Sequence, residues 1–338
     1  MRQNTPYVIW LFTALLTTLL LNTSSVYGAI PACARVLLDN PMGEQAKTDT
    51  RMPPAILKVA AIQYPLAEKS TEAALLRKIN AYLAQAKAGG AELVVFPELI
   101  ATEMIDWGAE LTSQFKYIAK HFTPRYQEWL RSRSREMGLA ILGGTSPRIE
   151  NGKIYNTALL ALPNGQIVLQ DKIFLTPDEK EWGWTPGKTL RVFETPWGKT
   201  VITVCFDCEF PLISQLLASK HPDLFLVPSW TGSLSGLNRV DWTARARAIE
   251  HYAFVVKVGT VPDTHSTQSH FGRSAILSPQ ETGFPTEPTE GLLNQPGIVF
   301  AELKLALQRQ MKPKSGVYPS HEQDVRSLPV RIESVTEH

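Results

Sequence analysis

Three short apolar runs in the chain end on residues able to do chemistry. Leu93-Val94-Val95-Phe96-Pro97-Glu98 carries a buried-type strand into a proline and then a carboxylate. Gln170-Asp171-Lys172-Ile173-Phe174-Leu175 puts a lysine at the close of a second strand, and Val201-Ile202-Thr203-Val204-Cys205-Phe206-Asp207 ends a third on a thiol. Singly, each has an ordinary reading: a capping glutamate, a surface lysine, a small buried cysteine. Together they make a base, a cation and a nucleophile. A thiol must lose its proton to attack a carbonyl or nitrile carbon. A carboxylate partly withdrawn from water has the basicity to take that proton, and an ammonium nearby stabilises the developing oxyanion. Open α/β sheets gather such groups beyond the C-terminal ends of their strands, so Glu98, Lys172 and Cys205 are expected to meet at one rim.

Other chemistries lack their residues. No GxxxxGKS/T, no GxGxxG after a strand and no HExxH occurs, and Gly232-Ser233-Leu234-Ser235-Gly236 has leucine where a serine elbow needs its nucleophile. The seven histidines show no i, i+4 pairing with a carboxylate, so a metal site is not expected. Thirty-four basic against 32 acidic side chains leave a formal charge of +2, too small for a nucleic-acid-binding field. Three cysteines cannot build a disulfide framework.

The elements that must position the three groups alternate. Apolar strand-length runs are expected at 56–62, 93–96, 139–142, 154–162, 167–170, 201–204, 224–227, 254–258, 274–277 and 299–303. Helices are expected after Ser70, with Leu75, Ile79 and Leu83 on one face and Gly89-Gly90 as the stop, and from Thr123-Pro124 to Gly138. Further helices are expected at 211–217 and 239–251. Pro163-Asn164-Gly165 marks a hairpin, so the pairing is mixed. A domain over 55–310 of the 338 residues is long for one sheet, and two mixed sheets packed face to face with helices outside, a four-layer α-β-β-α sandwich, accommodate that length.

The ends differ from this middle. Val8 to Leu21 is a 14-residue uncharged run after Arg2, followed by small and polar residues to Gly28. Its length suits a secretory signal peptide over 1–28 better than a span of roughly 20 residues. The expectation is export, with an uncleaved membrane-tethering leader as the alternative and Cys33 as a spare thiol. Residues 29–54 read as a linker or arm, and 311–338 as a polar C-terminal tail.

The order and spacing of the motifs resemble the carbon–nitrogen hydrolase family, the nitrilase superfamily. Phe96-Pro97-Glu98 is similar to its glutamate motif, Tyr155-Asn156-Thr157-Ala158 to the lead-in to its lysine, and Lys172 with Glu181-Trp182-Gly183-Trp184-Thr185-Pro186-Gly187 to its lysine segment. Cys205-Phe206-Asp207-Cys208-Glu209-Phe210-Pro211 resembles the nucleophile motif, and Arg245 to Glu250, Gly272-Arg273-Ser274 and Ala301-Glu302-Leu303 match later landmarks. The resemblance covers residues 56 to 305. It implies a hydrolase without metal or organic cofactor, acting through a cysteine thioester and pairing into a homodimer. Glu98 would be the base and Cys205 the nucleophile, with Lys172 and the Phe206 amide at the oxyanion. For the family's second glutamate, Glu181 is preferred to Glu179 by spacing.

Phe206-Asp207 after the cysteine looks more like amidase branches than nitrilases, which favours a small-molecule amide substrate. Nitrile hydrolysis, an acyltransferase in which an amine resolves the thioester, and an inactive binding protein are the alternatives. Leu212 and Gln280 depart from the family pattern without touching the triad. Trp182, Trp184 and Trp230 are candidates for the pocket wall. Glu209 either faces the pocket, favouring an amine-bearing substrate, or pairs with an arginine such as Arg245 or Arg247. Cys208 forms a Cys-x-x-Cys with Cys205, but no thioredoxin-like pattern surrounds it.

Overall fold

Val59-Ala60-Ala61-Ile62 is apolar on both alternating faces and fully buried on both, which places this strand inside a layered sheet. The computed structural model describes residues 54–322; the expected leader and nearly all of the expected arm lie outside the described residues. The first half of the domain runs β1 (Leu57–Pro65), α1 (Glu72–Ala88), β2 (Leu93–Val95), α2 (Leu111–Tyr117), α3 (Thr123–Met137), β3 (Ala140–Glu150), β4 (Lys153–Ala161), β5 (Ile167–Asp171) and α4 (Pro177–Glu181). The second half runs β6 (Val192–Thr195), β7 (Gly198–Ile202), α5 (Pro211–Leu217), β8 (Leu224–Ser229), α6 (Leu234–Glu250), β9 (Phe254–Val261), β10 (Ala275–Leu277), β11 (Thr289–Glu290), β12 (Gly297–Leu303), α7 (Leu305–Met311) and α8 (Pro319–Glu322).

These strands form two mixed sheets. One has the order β12-β1-β2-β3-β4-β5, with β1, β2 and β3 parallel and the outer strands antiparallel. The other has the order β6-β7-β8-β9-β10-β11, with β7, β8 and β9 parallel at its centre. They join where the end of β1 pairs with the end of β9, Tyr64 opposite Thr260. Ala60, Ile62, Val94, Phe96 and Ile141 on one face of the first sheet pack with Leu75, Ile79 and Leu83 of α1 and with Tyr126 and Leu130 of α3. The alternate residues Val59, Ala61, Leu93, Val95 and Leu142 are equally buried, so that face is covered as well, and α6 packs on β8 and β9 of the second sheet. This is the four-layer sandwich expected from the length and the alternation of elements.

Helix boundaries follow local chemistry. Thr71, one residue beyond the expected Ser70, caps α1 by accepting from the Ala74 amide at 3.2 Å. Ser70 instead donates to Glu103. Gly138 ends α3 with φ 62°. The hydrophobic pattern gave no sign of the short helices α2, α4, α7 and α8. The described part of the expected tail folds onto its own domain: Lys312 Nζ donates to the Pro222 carbonyl at 2.6 Å and pairs with Asp223, and Ser320 Oγ bonds His251 Nδ1. No helix among the described residues is long and apolar enough to cross a membrane.

Candidate active site

Strand ends bring the three groups together. Glu98 follows β2, Lys172 follows β5, and Cys205 stands shortly after β7. The turn after Glu98 is sharp, with Leu99 left-handed at φ 54°. It packs against the β3 bulge at Gly144, where a Cβ would collide with the Pro97 carbonyl. Cys205 itself has φ +47°, a conformation costing roughly 1–3 kcal/mol for a non-glycine residue and one that clusters at functional sites.

The polar groups form one buried network. Lys172 Nζ lies 2.8 Å from Glu98 Oε1 and 2.8 Å from Glu179 Oε2. Asn156 Nδ2 donates to the same two carboxylates, at 2.8 Å to Glu98 and 2.6 Å to Glu179. The two backbone polar groups of Trp230 bracket the rest: its N–H donates to Glu98 Oε2 at 2.9 Å, and its carbonyl accepts from Cys205 Sγ at 3.5 Å. Glu98, Lys172 and Glu179 are each 2% exposed and Cys205 4%, so water screens none of these charges well.

Burial dominates the titration. It raises Glu98 above the usual carboxylate value, with Lys172 opposing and Glu179 adding to the rise. It raises the Cys205 thiol well above its ordinary value, and the neighbouring Glu98 raises it further. Burial alone would pull Lys172 down, but Glu98 and Glu179 outweigh it and hold the ammonium above its ordinary value. Burial thus favours the neutral thiol and makes the neighbouring carboxylate a stronger base, the pairing that general-base activation of a thiol needs.

The second glutamate at this network is Glu179, not Glu181. Glu179 occupies the third position of α4, where a capping box with Thr176 turns its carboxylate inward. Two residues on, about 200° around a helix, Glu181 is exposed. Glu209 does not line the cavity: it pairs with Arg239 at 3.0 Å, and neither Arg245 nor Arg247 is its partner. Trp182 and Trp230 do line it, whereas Trp184 is buried against Phe115. Cys205 and Cys208 are both free thiols, and burial pushes Cys208 up to about 11.

Several residues of the site were given no role from the sequence. Asn156 bridges both glutamates, and its signal was a buried-type strand carrying one amide. Trp107 enters from the loop before α2. Asp207 is a positioning residue whose carboxylate accepts from the Phe174 amide at 2.7 Å, the Ile173 amide at 3.1 Å and the Val204 amide at 3.2 Å. It thus ties the lysine segment to the cysteine turn, with its pKa raised by burial to about 7. Asp207→Ala would strand three N–H groups. It is expected to cost about 2–4 kcal/mol in urea unfolding and to lower kcat by more than KM changes. A loss under about 0.5 kcal/mol, the range of an ordinary surface change, would refute the tether.

Glu98, Lys172 and Glu179 open onto a cavity of about 460 Å³, whose aromatic wall is Trp107, Trp182 and Trp230. This volume suits a small molecule. No group of three or more metal-ligating side chains occurs among the described residues. A double-sheet sandwich with an acid, a lysine and a thiol at its strand ends is the setting of a hydrolase, and residues 58–312 match the family model for carbon–nitrogen hydrolase. The chain belongs to the carbon–nitrogen hydrolase family and is an enzyme of that class.

Its relatives include a probable hydrolase, YhcX, of Bacillus subtilis, 28% identical over 269 residues, which are 77% of this chain and 52% of that protein. The match thus spans about half the length of the Bacillus relative. The omega-amidase NIT2 of Danio rerio is 24% identical over 262 residues, 75% of this chain and 91% of that one. Among solved structures, Nit3 of Saccharomyces cerevisiae, a member of branch 10 of the nitrilase superfamily, superposes with a TM-score of 0.68 at 22% identity. That superposition covers 82% of this chain and 99% of Nit3.

Proposed function

We propose that the protein hydrolyses a small amide through a thioester on Cys205. The observation that carries this reading is the placement of Cys205 and Glu98 on the two backbone polar groups of Trp230, with Lys172 on the same carboxylate. In the first half-reaction Glu98 takes the thiol proton as sulfur attacks the amide carbon. The carbonyl oxygen then gains a negative charge, held by Lys172 Nζ and the Phe206 amide. Collapse breaks the C–N bond, and Glu98 delivers its proton to the leaving nitrogen, which departs as ammonia or an amine. In the second half-reaction Glu98 takes a proton from water. The hydroxide adds to the thioester carbon, and the thiol leaves with that proton as the carboxylic acid forms. Glu179 keeps Lys172 and Asn156 in place through both steps.

The similarity to an omega-amidase and the Phe206-Asp207 pair after the nucleophile support an amide over a nitrile. The test is intact-protein mass spectrometry after early quench with a panel of small amides and nitriles. A transient acyl mass is expected on the wild type and none on Cys205→Ala. Turnover without an adduct on any rapid quench, retained in Cys205→Ala, would sink the thioester.

A further inference from the structure

The cavity beside Cys205 carries an unbalanced charge. Glu98, Glu179 and Asp178 contribute three carboxylates to its wall, against one ammonium, that of Lys172, which is already shared between Glu98 and Glu179. Asp178 differs from the other two acids. It stands exposed in the first turn of α4, lines the cavity and forms no ion pair among the described residues. Behind the Trp230 ring, His270 adds no positive charge. His270, whose ring stacks on Trp230 at 5.1 Å, is pulled down to about 4 by burial and is neutral at pH 7.

The wall itself favours a cation. The Trp107 ring lies 5.7 Å from that of Trp182 and 5.6 Å from that of Trp230, the latter edge-on. Tryptophan faces attract ammonium and guanidinium groups, by about 0.5–2 kcal/mol according to desolvation. A substrate carboxylate, in contrast, would meet no arginine on this wall and would be repelled by Asp178.

We propose that the amide substrate carries a positively charged nitrogen at the end remote from the scissile bond, held by Asp178 and the Trp107–Trp182–Trp230 wall. The assignment rests on the reading of Cys205 as the acylated nucleophile. It makes Asp178 the specificity-determining residue.

The test compares three amides with the same four-methylene spacer: 5-aminopentanamide, hexanamide and adipamate, ending in ammonium, methyl and carboxylate. Acylation of Cys205 by mass and kcat/KM are both read. The ammonium compound is expected to exceed hexanamide by about tenfold in kcat/KM, and adipamate to fall below both. The ratio of ammonium to methyl substrate should drop toward one in Asp178→Asn and invert in Asp178→Lys. It should also shrink at about 0.5 M salt, since an exposed carboxylate is screened. If hexanamide or adipamate acylates Cys205 as well as or better than the ammonium compound, the charge assignment falls and the hydrolase reading stands. A preference that Asp178→Asn and salt both leave unchanged overturns the role of Asp178. Failure of all three to acylate Cys205 or turn over removes the hydrolase reading and this assignment with it.

Discussion

Lys172→Met should abolish turnover and destabilise the protein by about 3–5 kcal/mol at neutral pH, the cost of leaving buried charges without their partner. In the native protein one ammonium lies 2.8 Å from both Glu98 and Glu179, all three out of water. Methionine fills the space but leaves two carboxylates bridged only by Asn156 Nδ2. The Glu98 carboxyl, already raised by burial, loses the ammonium that opposes the rise and moves further above the unfolded value of about 4.3. A carboxyl raised on folding favours the folded state most below its unfolded pKa, and that contribution is lost as pH rises through the folded pKa. The penalty relative to wild type should therefore be largest near pH 8 and shrink toward pH 5. Urea unfolding of both proteins at the two pH values measures this directly. A pH-independent loss below about 1 kcal/mol, the worth of a surface ion pair, would show that Lys172 is not the counter-ion of a buried pair.

Glu98→Gln should lower kcat by about 10²–10⁴-fold, the range for loss of a general base. The substitution is nearly isosteric. Its oxygen can keep the bonds from Lys172 and Asn156, while its amide nitrogen is turned toward the Trp230 N–H that now donates to Oε2. The expected stability loss is correspondingly modest, about 1–3 kcal/mol. The pH profile separates the two effects. On the proposed mechanism the wild type works through the ionised carboxylate, whose pKa burial has raised, so kcat/KM should fall as pH drops through a value above the ordinary carboxylate range. In Glu98→Gln that acid limb should vanish. The residual rate should climb with pH as hydroxide deprotonates a thiol held well above its ordinary value. A variant that keeps the wild-type acid limb would assign the base to another group.

The three central residues were legible because each sits at a break in a local pattern. A β-branched or apolar run dictates a buried strand by its own composition, and a charge or thiol directly after it falls at the strand's end whatever the rest of the chain does. The same local rule gave the strands other than β6 and β11, the helices α1, α3, α5 and α6, and the hairpin between β4 and β5. The alternation of elements over about 250 residues was then accommodated by two sheets and four layers.

What remained hidden depends on contacts between distant parts of the chain. Glu179 and Glu181 flank Lys180 in one acidic stretch, and only the capping box of α4 turns the first inward and leaves the second exposed. Glu209 was open between the pocket and an arginine partner, and it is α6 that brings Arg239 to it. Trp107 and Asp178 reach the cavity from a loop and a five-residue helix that carry no hydrophobic period. Periodicity and strand composition act over a few neighbouring residues, so the sequence by itself determined the elements and the chemical groups at their ends. The bond from Lys172 to Glu98 spans 74 residues and that from Trp230 to Glu98 spans 132. Such pairings, and the charge of the cavity they enclose, come into being only when two sheets stack and water is excluded between them.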